Sequence, residues 1–425
     1  MRYALISKGL PLEQIEAEAR KAGGINIKTA RLLNQVFCEL DAGQVQRLSR
    51  TAGLVLKEVK EVRPTVVMAP EAVASQTVLT PQAVSVWDVF QELRSLFVPP
   101  LTGSGLTVAV LDSGIRKSHR SLVSRVVYEA NFTESPGAGD VFGHGTQVAF
   151  VTCGCDPEGD AGVAPGAKVM NIKVLSDEGI GSEETVVDGI EEVIELVEEA
   201  MRNGTHPTAD MFPNVINLSL GSEDDGDPDN PVRIACRQAS QQYGIDVISA
   251  VGNAGPKLST IMLPACDEEV IAVGAVNTGG FDIWEKSARG PTLDGTTKPD
   301  FCFWGTDLEM ASSKSDDEYV AKSGTSFAAP MLSGIGGLLW EVTRRSYGQD
   351  ALFRWTSARQ FAPYYCTKPQ EAPLKKDNSY GFGVPAMSVM AGQITQVQDP
   401  MQQTVETFPM LMMMGMMGVM IRGVF

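Results

Sequence analysis

The chain has 425 residues, 43% of them hydrophobic, and a formal net charge of −17 at pH 7. A chain of this length predicts two or three domains with a sizeable core. The excess of acidic residues argues against nucleic acid or an anionic membrane as the main partner.

The cysteines and the N-terminal sequence indicate the cellular compartment of the protein. The seven cysteines are spread along the chain without a CxxC pair, which argues against a disulfide framework. The first residues, MRYALISKGLPLEQIEAEAR, lack the charged start, apolar stretch and small-residue cleavage site of a signal peptide. We therefore predict a reducing, cytoplasmic location, with export by another route left open.

Residues 1–63 predict a small α+β domain. The segment RYALIS has the pattern of a strand, and PLEQIEAEARKAG that of a helix ended by two glycines. TARLLNQVFCEL offers further strand material, DAGQVQRLSRTAG a capped helix, and LVLKEVKEV one last alternating strand. The order β-α-β-β-α-β indicates a ferredoxin-like fold. Residues 64–83, broken by prolines, predict a linker.

Residues 84–392 predict an α/β domain with a mostly parallel sheet. Nearly unbroken apolar runs such as LTVAVLD, NVINLSL and DVISAVGN are typical of strands that are buried on both faces. An amphipathic helix, SEETVVDGIEEVIELVEEAMRNG, lies between two of these runs. In such sheets the working groups lie beyond the carboxyl ends of the strands.

The last segment, residues 393–425, is polar and then rich in methionine. Its apolar part, PMLMMMGMMGVMIRGVF, covers residues 409–425 and is only marginally long enough for a membrane span. Methionine suits adaptable apolar contacts. We predict that this tail docks on a membrane surface or on a protein.

Three short stretches carry candidate chemistry. Asp112 ends the run LTVAVLD, His144 lies between two glycines in FGHGTQVAF, and Ser326 precedes an apolar helix in SGTSFAAP. Each residue alone has a structural interpretation: an Asp can form a turn and a Ser can cap a helix. The glycines on both sides of His144 have no side chain, however, and so let substrate and neighbouring chain segments approach the imidazole closely.

Taken together, the order Asp, His, Ser in DSG, GHGT and GTS contexts strongly resembles the subtilisin-like serine proteases, the subtilases. The segments GVAPGAKVMNIKVL, SARGPTLDGTTKPD and YGFGVPAMSV support this resemblance. It implies a subtilisin-like three-layer fold in which Ser326 forms an acyl-enzyme, His144 transfers the proton and Asp112 orients the imidazole. It also assigns two donors to the oxyanion hole, the backbone N–H of Ser326 and the side-chain amide of Asn253 in SAVGNAGP.

The same resemblance implies how substrate binds. Substrate would lie as an extended strand between two segments, Ser219-Leu220-Gly221 and Gly179-Ile180-Gly181. Met262 would floor the first specificity pocket, where many relatives have glycine, and so disfavour large aromatic residues at P1, the residue before the cleaved bond.

Residues 1–63 resemble the inhibitory prodomain of the family. We therefore expect a precursor that cleaves itself between about Val66 and Thr80. Small P1 candidates in that window are Ala72, Ala74 and Ser75.

Some stretches depart from the family pattern. Gln147 and Phe150 stand where relatives usually have histidine and glycine, and the segment FWG (303–305) stands where they have APG. The asparagine-rich loop that holds calcium in many relatives is absent, so we predict no metal there and no cofactor. The acidic loop EDDGDPD (223–229) could hold a cation but is expected to be a solvated loop.

These observations predict a serine endopeptidase that acts on protein or peptide substrates and is inhibited by its own prodomain. One alternative is a peptide ligase or macrocyclase, in which an amine instead of water attacks the same acyl-enzyme. Another is a catalytically silent binding scaffold.

Overall fold

A computed structural model of the chain describes residues 1–65, 86–156 and 161–386. These residues form an N-domain (residues 1–65) and a larger α/β domain (residues 86–386). The expected cleavage window, with Ala72, Ala74 and Ser75, and the tail at 393–425 lie outside the described residues.

The N-domain has the predicted β-α-β-β-α-β order. Its four strands form one antiparallel sheet in the order β2-β3-β1-β4. Helix α2 begins at a capping box in which Asp41 and Gln44 each bond the other's backbone N–H. The elements are β1 Arg2–Ser7, α1 Leu12–Ala22, β2 Ile25–Ala30, β3 Gln35–Glu39, α2 Ala42–Leu48 and β4 Leu54–Glu58.

The prediction that LVLKEVKEV forms one last strand of the N-domain is wrong. Strand β4 ends at Glu58, and a separate strand, β5 (Glu61–Pro64), leaves the N-domain sheet to pair with two strands of the α/β domain. From Leu56 onward the apolar residues recur at every third position, at Val59 and Val62, so the alternation expected of a single strand does not extend to the end of this segment. The predicted linker at 64–83 consequently starts too early, because Pro64 is still part of β5.

The α/β domain alternates strands and helices as predicted. Its helices are α3 Val86–Ser95, α4 His144–Cys153, α5 Glu183–Arg202, α6 Pro231–Gln241, α7 Thr325–Tyr347 and α8 Trp355–Ala358, with a 3₁₀ turn at Arg359–Tyr364. Its strands are β6 Thr107–Asp112, β7 Val126–Asn131, β8 Lys168–Lys173, β9 Gly181–Ser182, β10 Val215–Leu218, β11 Leu220–Gly221, β12 Asp246–Ala250, β13 Ile271–Val276, β14 Phe301–Trp304, β15 Leu308–Ala311, β16 Tyr319–Lys322, β17 Cys366–Thr367 and β18 Val384–Pro385.

The central sheet has seven parallel strands in the order β14-β13-β12-β10-β6-β8-β7. One face packs on α4 and α7, and the other on α5 and α6. Both faces are therefore covered, which explains why the strand segments are almost entirely apolar. This is the predicted three-layer architecture.

Two residues at positions where the chain departs from the family pattern pack in the core. Phe150 is fully buried and packs edge-on against Trp87 of α3, with ring centroids 5.4 Å apart. Trp304 packs in the same way against Phe90, with centroids 6.0 Å apart. All seven cysteines are free thiols. Within the described ranges no helix is both long and apolar enough to cross a membrane.

Candidate active site

The C-terminal end of β6 and the start of α4 bring Asp112 and His144 together. The imidazole Nδ1 lies 2.8 and 2.9 Å from the two carboxylate oxygens of Asp112, and both side chains are 1% exposed. Glycines on either side of His144 are required here. Gly143 has a φ of +100°, and a Cβ at Gly145 would lie 2.1 Å from the Gly114 carbonyl oxygen.

A buried carboxylate, Asp140, holds the backbone around His144. Its oxygens accept hydrogen bonds from the backbone N–H of Gly143 and of Thr146, and from the hydroxyls of Ser113 and Thr146. The loop that carries the imidazole is thereby tied to the residue that follows Asp112. Sequence analysis missed Asp140; its position four residues before His144 was the only signal.

Ser326 lies in the first turn of α7 and is fully buried. Its hydroxyl donates to the carbonyl of Thr65 and, at 3.2 Å, to that of Ser219. His144 Nε2 is buried without a hydrogen-bond partner among the described residues. The structure therefore joins Asp112 to His144 but does not join His144 to Ser326 by a hydrogen bond.

Three hydrogen-bond donors converge on the carbonyl oxygen of Thr65. Asn253 Nδ2 donates to it at 2.6 Å and the backbone N–H of Ser326 at 3.3 Å, in addition to the Ser326 hydroxyl. Asn253 and the Ser326 N–H are the two donors that the sequence assigns to the oxyanion hole. A peptide carbonyl of the chain itself thus accepts from both of these donors.

Thr325 orients the Asn253 amide, which sequence analysis also missed. Its backbone N–H and its hydroxyl both donate to Asn253 Oδ1, at 3.1 and 2.9 Å. The hydroxyl accepts in turn from the backbone N–H of Gly252 at 3.2 Å. With its oxygen held in this way, the amide must present its N–H₂ group to the Thr65 carbonyl.

The two predicted substrate segments flank β5. Strand β5 is the middle strand of a three-stranded antiparallel sheet in which Pro64 and Arg63 pair with Leu220 and Gly221, and Val62 pairs with Gly181. The Thr65 N–H donates to the Ser219 carbonyl at 3.0 Å. Gly179 has a φ of +73°, and a Cβ there would lie 2.5 Å from the Phe142 ring. The side chain of Ile180, between Gly179 and Gly181, is exposed.

The side chains of β5 and Thr65 differ in burial. Val62 and Thr65 are buried, whereas Glu61 and Arg63 are exposed and pair with each other at 2.5 Å. The Thr65 hydroxyl lies 2.8 Å from Ser326 Oγ. β5 and Thr65 therefore fill a groove that leads to Ser326.

Met262 packs between the two glycines that border the end of this groove. A Cβ at Gly252 would lie 2.5 Å from Met262 Sδ, and one at Gly221 would lie 3.2 Å from Met262 Cβ. The methionine side chain thus fills space beside the Asn253 and Leu220 segments, at the place where the sequence predicts the pocket floor.

The acidic loop at 223–229 is engaged by the N-domain, contrary to the solvated loop that we expected. Lys57 and Lys60 contact Asp227 and Asp225, respectively. Within the part of the chain that the structure describes, no group of three or more acidic, histidine or cysteine side chains is arranged to hold a metal ion.

Comparison with known proteins agrees with this geometry. A model of the subtilase family matches residues 103–383. Serine protease AprX of Bacillus subtilis (strain 168) is 33% identical over 264 residues, which cover 56% of this chain and 58% of that protein. Intracellular serine protease of Paenibacillus polymyxa is 31% identical over 257 residues, 58% of this chain and 70% of that protein.

Among solved structures, sphericase superposes with a TM-score of 0.55 at 26% identity, covering 67% of this chain and 92% of that one. A three-layer parallel-sheet domain with an Asp–His pair beside a helix-start serine defines a subtilisin-like fold. The chain belongs to the subtilase family. It spans less than two thirds of the length of AprX.

Proposed function

We propose that the chain is a serine endopeptidase with Ser326 as nucleophile, His144 as general base and acid, and Asp112 as the group that orients the imidazole. The observation that carries this proposal is the Thr65 carbonyl, which accepts from Asn253 Nδ2 at 2.6 Å while in contact with the Ser326 hydroxyl. A peptide bond is thus bound next to the nucleophile and to the groups that would stabilise its tetrahedral intermediate.

The reaction follows from these positions. Rotation of the Ser326 side chain would direct its hydroxyl to the unpartnered Nε2 of His144, which takes the proton as Oγ bonds to the carbonyl carbon. The carbonyl oxygen becomes an oxyanion held by Asn253 and the Ser326 N–H. His144 then protonates the leaving amine, and water releases the acyl group by the same steps in reverse.

Self-cleavage after Thr65 follows from the same geometry. β5 and Thr65 occupy the groove as a substrate's P5 to P1 residues, which makes Thr65–Val66 the bond next to Ser326. This bond lies just before the window at 66–80 that the sequence suggested. The released N-domain would leave its C-terminal strand in the groove and inhibit the enzyme.

The groove supports a preference for small residues at P1. Thr65 is 3% exposed, and Met262 fills space between Gly221, which pairs with β5, and Gly252, which precedes Asn253. Val62, at P4, is 2% exposed, which supports an aliphatic residue there. Substrates with Thr, Ser or Ala at P1 and an aliphatic P4 fit this arrangement.

A cytoplasmic site of action is part of the proposal. The relative from Paenibacillus polymyxa is named an intracellular protease, and the cysteines of this chain are free thiols. Both observations support a reducing compartment.

The test compares the wild-type chain with Ser326→Ala and with Ser323→Ala, a control whose hydroxyl bonds Asp307. Wild type and Ser323→Ala should hydrolyse a peptide with Val at P4 and Thr at P1 and should be labelled by a fluorophosphonate, whereas Ser326→Ala should do neither. Hydrolysis by pure Ser326→Ala would overturn the assignment. Neither labelling nor hydrolysis in the wild type would favour a catalytically silent scaffold, and ligated products when a peptide amine is added would favour a ligase.

A further inference from the structure

The N-domain and the rest of the chain carry opposite charge. Residues 1–65 contain 11 basic and 7 acidic residues, whereas residues 66–425 contain 24 basic and 45 acidic ones. Two surfaces of opposite sign attract each other before they touch, which raises their rate of association.

At the interface this difference becomes a set of direct ion pairs. In every such pair among the described residues, the cation belongs to the N-domain and the anion to the α/β domain. The five anions, which we call the acidic face, are Glu184, Asp188, Asp225, Asp227 and Asp229. The pairs are Arg2–Glu184, Lys8–Asp229, Lys28–Asp188, Lys57–Asp227 and Lys60–Asp225.

Two of these pairs have favourable geometry. Arg2 donates from Nε and Nη2 to the two carboxylate oxygens of Glu184, each at 2.6 Å, and this hydrogen bonding raises the pKa of Arg2. Burial by itself would raise the pKa of Asp225. The hydrogen bond from Lys60 at 2.5 Å acts in the opposite direction, and the pKa of Asp225 is lowered overall. Asp225 is therefore held in its charged form.

The ion pairs surround an apolar contact. Phe37 and Leu33 of the N-domain share one buried cluster with Val187 and Ile190 of α5 and with Ala235 of α6. Salt weakens exposed charge pairs, since the Debye length falls from about 10 Å at 0.1 M to about 3 Å at 1 M, but it does not weaken apolar burial. The two contributions can therefore be separated by experiment.

We propose that the acidic face, the docking surface of the N-domain, holds it mainly by charge, so that inhibition by the cleaved N-domain is controlled by ionic strength. High ionic strength or a polycation that competes for the acidic face releases it and frees the groove. This inference rests on the proposed function, because it assumes that the N-domain is cut from the α/β domain.

The main test uses the self-processed chain. Gel filtration and hydrolysis of an uncharged peptide are followed from 50 mM to 1 M NaCl. We expect the N-domain to co-elute with the α/β domain and suppress hydrolysis at low salt. At high salt it should separate, with a rise in activity of about tenfold or more, in the range that electrostatic steering covers.

Charge variants identify the surface. Lys57→Glu combined with Lys60→Glu should release the N-domain at low salt, and adding Asp225→Lys with Asp227→Lys should restore binding. Lys21→Glu changes the same kind of charge on a side chain that is 78% exposed and pairs only within the N-domain, so it should behave as wild type. Equal retention at all salt concentrations, or equal release by Lys21→Glu and the double reversal, would overturn the inference.

A second measurement does not depend on catalysis. The backbone N–H of Leu32 donates to Glu191 of α5 at 2.7 Å, so its hydrogen exchange, measured in uncleaved Ser326→Ala, reports on domain contact. Exchange over residues 25–39 should rise with salt, and rise further in the double reversal. If the wild type neither cleaves itself nor hydrolyses peptide while this exchange still responds to salt, the proposed function fails and the docking surface stands. Exchange that is insensitive to both salt and charge reversal overturns the docking surface.

Discussion

At the scale of single residues, the orientation of Asn253 should decide how well the oxyanion is stabilised. Thr325 fixes the amide oxygen with two hydrogen bonds, so that the amide nitrogen faces the Thr65 carbonyl. Asn253→Ala should lower kcat by about 10²–10³-fold, the loss known for such a donor in a subtilisin. KM should change little, because the donor acts mainly on the transition state.

Steady-state kinetics on a short peptide check this, with the thermal midpoint as the control for folding. Thr325→Val removes only the hydroxyl that positions the amide and should cause a smaller loss in kcat. An unchanged kcat in Asn253→Ala, at an unchanged midpoint, would contradict the assignment of this oxyanion donor.

Met262 should determine the size of the P1 residue. Met262→Gly should open space between Gly221 and Gly252, since the methionine now fills it. The kcat/KM ratio for Phe over Ala at P1 should then rise by about tenfold or more, because burying an aromatic side chain contributes about 1.5–3 kcal/mol. Met211→Gly, which alters an exposed methionine, should leave the ratio unchanged. A wild-type preference for Phe or Tyr would show that Met262 does not limit the pocket.

At the scale of elements, sequence patterns predicted what depends on local contacts. The apolar runs of β6, β10 and β12 and the capped helices α2 and α5 have signals within their own segments. The pairing of β5 has none, because the partners of β5 lie more than 100 residues further along the chain. Asp140 was missed for a similar reason: its role depends on four donors brought together by the fold.

Helix α5 makes N-domain binding depend on pH. Glu191 accepts from Leu32 of the N-domain, yet burial raises its pKa to about 7, helped by the nearby charges of Glu195 and Asp188. Because the pKa is raised in the bound state, this group contributes to binding fully below its ordinary pKa of 4.5, and the contribution is lost as pH rises through about 7.

Retention of the N-domain by the processed α/β domain should therefore weaken from about pH 5 to pH 7, as measured by gel filtration at constant ionic strength. Glu191→Gln keeps an acceptor for Leu32 but does not titrate, so it should flatten this dependence. Glu199→Gln, on the exposed side of the same helix, should not. Stronger retention at higher pH in the wild type would contradict the role of Glu191.

At the scale of the whole molecule, the sequence predicted the architecture, the chain order of Asp112, His144 and Ser326, and the segments that flank the groove. It did not identify Thr65. Which residue lies next to Ser326 depends on where β5 separates from the N-domain sheet and on how many residues the groove accommodates. Both follow from the packing of the two domains. Nor did it identify the acidic face, because the lysines and aspartates that pair are far apart in sequence.

The whole account depends on the position of Thr65 beside Ser326. Intact-mass spectrometry of freshly purified chain, sampled at early times, measures this directly. We predict that the wild type yields residues 1–65 and a second fragment that starts at Val66, while Ser326→Ala remains one chain. A first cut within residues 66–80 with Thr65–Val66 intact, or equally fast cleavage in Ser326→Ala, would contradict it.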